Sequence, residues 1–202
     1  MNLVCESDHL TDYLSESEVV DFSHPAIQAV AQRIRKDAAD EQAWVKAAFE
    51  FVRDEIDHSW DIQGSIVTRR ASEVLEHRQG ICYAKSNLLA AILRSQGIPT
   101  GFCYQKLTLG DTPDTGYCIH ALNAVYLDSL QRWIRIDARG NKEGVQAEFS
   151  TTEEKLAFPI RTHYEEIDYP VIYAQPNAKT METLASHTDV LTMYLHRLPT
   201  DL

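Results

Sequence analysis

Apolar residues recur at helical spacing through the first half of the chain. Ile27, Val30, Ala31 and Ile34 follow Ser23-His24-Pro25 at i, i+3, i+4 and i+7, which predicts a helix starting near Pro25. Asp40 can cap a second helix that turns Val45, Ala48, Phe49, Val52 and Ile56 toward a core. His58–Gly64 reads as extended and Ala71–Leu75 as a short helix. From Cys82 to Ser95 the apolar positions Ile81, Ala84, Leu88, Leu89, Ala91, Ile92 and Leu93 wrap nearly round the helix, so it is expected to be central and buried. Gly97 fits a left-handed C-terminal cap, and Pro99 fits the stop just beyond it.

The period then changes to that of strands, over Gly101–Leu107, Tyr117–Leu127 and Arg132–Asp137. Turn residues fill Gly110–Gly116 and Asp128–Gln131, so the three runs are expected to form an antiparallel meander. The Gly110–Gly116 connection precedes His120 closely and offers no apolar anchor. It is expected to be mobile and to border any groove there. Residues 138–175 carry no clear period. Helix returns over Ala178–Arg197 with a break near His187 and an apolar face of Val190, Leu191, Tyr194 and Leu195. Helices first, strands second and helix last predict an α+β fold. With 202 residues and no repeat or linker, the chain reads as one domain, 1–202.

Composition narrows the partners. Nineteen basic against thirty acidic residues leave a net charge of −11, which disfavours nucleic acid and anionic membrane surfaces. No apolar run reaches the roughly 18 residues that a membrane span requires. Met1–Asp8 lacks the basic region and apolar core of a secretory signal, and four cysteines are too few for a disulfide scaffold. These features predict a cytoplasmic protein with reduced thiols.

Three residues could carry chemistry together. Cys82 opens a predicted helix directly after Gly80-Ile81, where unpaired N–H groups favour thiolate and could receive an oxyanion. His120 lies in the strand-like run Cys118–Val125, and Asp137 closes the next run. Seventeen residues across a tight hairpin put His120 and Asp137 on neighbouring strands, within reach of each other. Nucleophile, base and orienting carboxylate form a catalytic set. Two alternatives stand beside it. Cys118-Ile119-His120 with Cys82 and Cys103 could supply four soft ligands to zinc, though this leaves Asp137 without a role. A non-catalytic protein that binds peptides in the same groove is the other.

On these blocks the sequence resembles the transglutaminase-like superfamily. The matching pieces are Ala71–Leu75, Gly80-Ile81-Cys82, Leu88–Arg94 with Gly97-Ile98-Pro99, His120–Tyr126 and Trp133–Asn141, all in order over about residues 40–142. Residues 143–202 form a C-terminal extension outside the resemblance. It is closer to bacterial transglutaminase-like proteins than to the animal cross-linking enzymes, whose calcium loops find no counterpart. The resemblance implies a papain-like arrangement, with a nucleophile helix packed on an antiparallel sheet. It also implies Cys82 as nucleophile, His120 as general base and acid, and Asp137 as the residue holding the imidazole. A peptide or protein amide substrate, no cofactor and no metal, and hydrolysis in preference to cross-linking follow from it. Relatives add an upstream side-chain donor to the oxyanion site, for which Trp60 comes first and Gln63 second. Gln105 is a further polar residue that could face the site. Many relatives carry an acidic residue two positions after the nucleophile, whereas Tyr83-Ala84-Lys85 stands here. Lys85 is expected to pair with a carboxylate or to favour the thiolate.

Overall fold

Capping groups mark where the helices begin in the computed structural model, which describes residues 1–202. Helix α1 (Pro25–Lys36) starts on its proline, and the His24 imidazole accepts the Ala26 N–H at 3.3 Å. The Asp40 carboxylate accepts the Ala43 N–H at 2.8 Å and opens α2 (Glu41–Glu55). In α3 (Ala71–His77), Glu73 reaches back to the N–H groups of Arg69 and Arg70 at 2.9 and 3.1 Å. Helix α4 (Cys82–Arg94) is buried at all thirteen positions, as its apolar wrap requires. Gly97, at φ 79°, follows in the left-handed conformation.

Strands β4 (Thr100–Thr108), β5 (Tyr117–Leu127) and β6 (Arg132–Ile136) form the expected antiparallel meander. A fourth strand, β7 (Ile167–Asp168), extends it along the free edge of β4, giving the order β6-β5-β4-β7. Helix α4 packs on one face of the sheet. There the Tyr83 hydroxyl donates to Ile119 O at 2.7 Å, and the Asn123 amide donates to Ser86 O at 3.2 Å. The main core joins this face to α1–α3 and draws residues from Val19 to Met193. Cys103, Leu122 and Ala124 point to the other face, into a small cluster with Tyr13, Ile172 and Ala174, beside the short parallel pair of β1 (Val4–Cys5) with β8 (Val171–Ile172). At Gly101 a side chain would come within 3.0 Å of Tyr173 O, so only glycine lets that segment lie against β4. The fold is α+β, helices against an antiparallel sheet.

Two expectations change, and the stretch without a clear period takes form. His58–Gly64 is not extended: only Asp57–His58 (β2) pairs, in parallel with Gln79–Gly80 (β3), and turns follow to Gln63. Residues 138–175 hold short elements fixed by side chains rather than by a period. The buried Arg135 guanidinium donates to Glu154 and Asp168 at 2.7–2.8 Å, which ties that segment and β7 to the sheet. The C-terminal helix divides at Ser186–Asp189, as expected, into α5 (Ala178–Ala185) and α6 (Val190–His196). However, α6 buries Val190 and Met193 and leaves Leu195 exposed, because the Asp189 cap sets its rotation. No helix is long and apolar enough to cross a membrane.

Candidate active site

The pairing of β2 with β3 sets His58 opposite Gly80, two residues before Cys82, so the turn after α2 lies beside the start of α4. Cys82 is the first residue of α4, with no side chain capping that end. It is 8% exposed, and what remains open faces a cavity of about 450 Å³ that His120 also lines.

His120 sits on β5 and Asp137 just past the end of β6. Because Asn123 pairs with Ile136, the two residues are diagonal neighbours across the hairpin. The His120 Nε2–H donates to Asp137 Oδ2 at 2.8 Å. Asp137 also accepts the N–H of Arg139 at 3.2 Å and of Ala157 at 3.0 Å. Burial works against charge on both groups. The Asp137 carboxylate first, and Cys82 after it, overcome it and push His120 up to about 10. The same imidazole and the two backbone donors hold Asp137 below the usual carboxylate range. Burial pushes the Cys103 and Cys118 thiols up to about 12.

The structure thus brings Cys82, His120 and Asp137 together. Trp60 lines the cavity with its ring stacked on Tyr194, centroids 4.6 Å apart and planes at 12°. Gln63 is exposed at the tip of the turn, where its amide donates to Trp60 O at 2.6 Å. Gln105 is buried directly across from His120 and lines a separate cavity of about 380 Å³ behind Phe158 and Pro159. The four soft ligands of the zinc alternative do not meet: no three of them gather closely enough to hold a metal ion, and Cys103 packs with Tyr13, Leu122 and Ile172. Lys85 meets no carboxylate. Its ammonium donates to the carbonyls of Arg53 and Ile56 at the end of α2, and burial together with Arg139 lowers it to about 7.

Other residues of the site escape a reading by sequence. His58 is buried against the cavity, its Nδ1 has no partner, and burial with the charge of Arg139 keeps it well below its ordinary value. Arg139 makes two hydrogen bonds to Asp61, which also receives Lys142 at 2.7 Å. Phe158 meets the His120 ring edge-on at 5.2 Å. Arg139 lies within the block Trp133–Asn141 that carries the resemblance, but nothing local marks Phe158 or Tyr194. Leu109, Gly110 and Asp111 do border the cavity. Contrary to the unanchored loop expected, polar ties hold that connection: Gly110 N to Thr115 Oγ1 at 2.9 Å and Arg161 to Asp111 O at 3.0 Å.

The family model of the transglutaminase-like superfamily matches residues 28–138, more than half of the chain. Among solved structures, a candidate cysteine protease from Cytophaga hutchinsonii is similar in fold, with 20% identity and a TM-score of 0.53 over 66% of this chain and 43% of that one. The periplasmic domain of TgpA from Pseudomonas aeruginosa has 21% identity and a TM-score of 0.48 over 66% and 48%. The match thus spans less than half the length of either solved chain. No curated protein matches the chain.

Proposed function

The chain belongs to the transglutaminase-like superfamily, and from that premise we propose that it is a cysteine-dependent acyl-transfer enzyme acting on peptide or protein amides. One observation carries the proposal: Cys82, on the open first turn of α4, shares a cavity with a His120 that Asp137 holds at 2.8 Å. With Nε2 engaged by Asp137, His120 turns Nδ1 to the sulfur and takes the thiol proton to form the nucleophile.

The thiolate attacks the amide carbonyl carbon. The oxyanion receives the Cys82 N–H, with the Trp60 indole as the side-chain donor. His120 gives its proton to the leaving nitrogen as the C–N bond breaks, which leaves a thioester. Water then adds, His120 takes its proton, and the thiolate departs. Hydrolysis rather than cross-linking belongs to the same proposal, on the resemblance to bacterial members. So does a reducing, cytoplasmic setting, supported by four unpaired thiols and checked by cell fractionation.

The test is trapping. Wild-type protein is incubated with a mixture of glutamine- and amide-containing peptides, quenched in acid and mapped by mass. An acyl group is expected on Cys82 alone, and ammonia or amine release is expected to vanish in Cys82→Ala. Undiminished release from that variant overturns the reading. Rapid alkylation near neutral pH should also single out Cys82, because Cys103 and Cys118 are held up at about 12.

A further inference from the structure

Strand β5 outruns its neighbour. Strand β6 pairs only with Asn123–Leu127, so Tyr117–Ala121, which leads into His120, has no ladder partner on that side. On this edge the carbonyl of Ile119 is taken by the Tyr83 hydroxyl. The Ile119 N–H instead donates to Pro199 O at 2.8 Å. A free edge of this kind receives an extended chain through main-chain hydrogen bonds, with alternate side chains seated in adjoining pockets. Pro199 supplies such a bond one residue from His120, and its neighbour Leu198 reaches into the Cys82 cavity.

The anchoring of this segment changes sharply at Arg197. Helix α6 is pinned by buried Val190 and Met193 and by Val190 N–H to Ser65 O at 3.0 Å. After it, residues 198–202 follow no regular element. Besides the Pro199 bond they are held by Lys179, whose ammonium meets the Asp201 carboxylate and Leu202 O, and by half-buried Leu198 and Leu202, which lie against the edge of the main core. Lys179 and Asp201 are half to three-quarters exposed, and exposed ion pairs hold weakly.

We propose that residues 198–202 are a displaceable strap, lying in cis where the backbone of an extended peptide pairs with the β5 edge beside His120. A peptide substrate enters by taking the Ile119 N–H from Pro199 and the pocket from Leu198. Helix α6, with Tyr194 stacked on Trp60, remains as the wall. The proposal rests on the functional reading only in placing the incoming peptide next to a reactive Cys82.

Two measurements on the full chain test it. The first compares labelling of Cys82 by an extended peptidyl vinyl sulfone with labelling by iodoacetamide. In Leu198→Ser the peptide reagent should gain up to about tenfold relative to iodoacetamide, because a half-buried apolar plug no longer competes. In Lys179→Ala the gain should be only about twofold, as befits an exposed pair. An unchanged or reduced ratio in Leu198→Ser makes Leu198 part of the wall and overturns the strap. The second is nuclear magnetic relaxation. Peptidyl labelling of the wild type should drop the order parameters of Thr200, Asp201 and Leu202 from about 0.85 to below about 0.6, with the Ile119 amide still protected. Ordered residues 200–202 under the peptide label overturn the proposal. If Cys82 resists both reagents, the functional reading falls. The strap is then decided by Leu198→Ser alone, where ordered Thr200–Leu202 overturn it.

Discussion

Residues 40–137 and residues 138–202 reach the same cavity by different means. The first stretch brings Cys82, His120 and Asp137 on a helix and a hairpin whose positions follow from burial: α4 is enclosed at every residue, and β4 pairs along its whole length with β5. The second stretch brings the walls, Phe158, Tyr194 and Leu198, and reaches its place through scattered buried residues such as Ala157 and Met193 together with single polar contacts such as Arg135 with Glu154. Chemistry rests on enclosed elements, and access rests on scattered buried residues and a few hydrogen bonds. The two parts should therefore fail differently.

Breaking the first part at the sulfur has the largest expected effect. Cys82→Ala should lower turnover by about 10⁴-fold or more with little change in melting temperature, and His120→Ala should be nearly as severe. Asp137→Asn comes next, at about 10³-fold, because it disturbs the tautomer and orientation of the ring but leaves nucleophile and base in place. Its stability loss carries a pH signature. The proton that His120 gains on folding stabilises the native state fully below about 6.5, and this fades as pH rises to about 10. The Asp137 contribution is present above its ordinary 3.8 and fades as pH falls. The gap between wild type and Asp137→Asn, followed by denaturant titration, should be widest between those limits.

Breaking the second part should cost stability locally before it costs chemistry. Arg135→Met leaves Glu154 and Asp168 unpaired and should destabilise by about 2 kcal/mol, discounted because both carboxylates keep some contact with water. Hydrogen exchange should rise first around residues 154–168, and iodoacetamide should label Cys82 at close to the normal rate. If exchange rises instead throughout α4, the two parts are not separable. Lys85→Met sharpens the contrast from behind the site. It frees two carbonyls at the end of α2, at a cost of about 1–2 kcal/mol. Here the sign reverses: Lys85 is lowered to about 7, so wild type should gain stability relative to the variant as pH rises from about 7 to about 10.5.

The same division governs what the sequence discloses. Cys82, His120 and Asp137 are legible because each sits at a marked point of a periodic element and the intervals fit one hairpin and one helix. Asp40 and Pro25 are legible because capping is local chemistry. The Asp137–Ala157 bond is not, since any residue but proline offers that N–H. Tyr194 reads as one more apolar residue of its helix until the fold sets it against Trp60, more than a hundred positions earlier. Lys85 misleads for a related reason: the expected partner of a buried cation is a carboxylate, but the nearest acceptors are the carbonyls at a helix end.

That bond from Ala157 has a kinetic consequence. Asp137 is delivered by the hairpin, yet one of the donors that hold it charged arrives from a later segment, which Arg135 ties to the sheet through Glu154. Helix and meander contacts are formed early because the chain they close is short, whereas the later segment adds its contacts to a scaffold already standing. During refolding, secondary structure should therefore return before a competent thiolate does. The interval between the two signals would time the moment at which a folded chain becomes a working one.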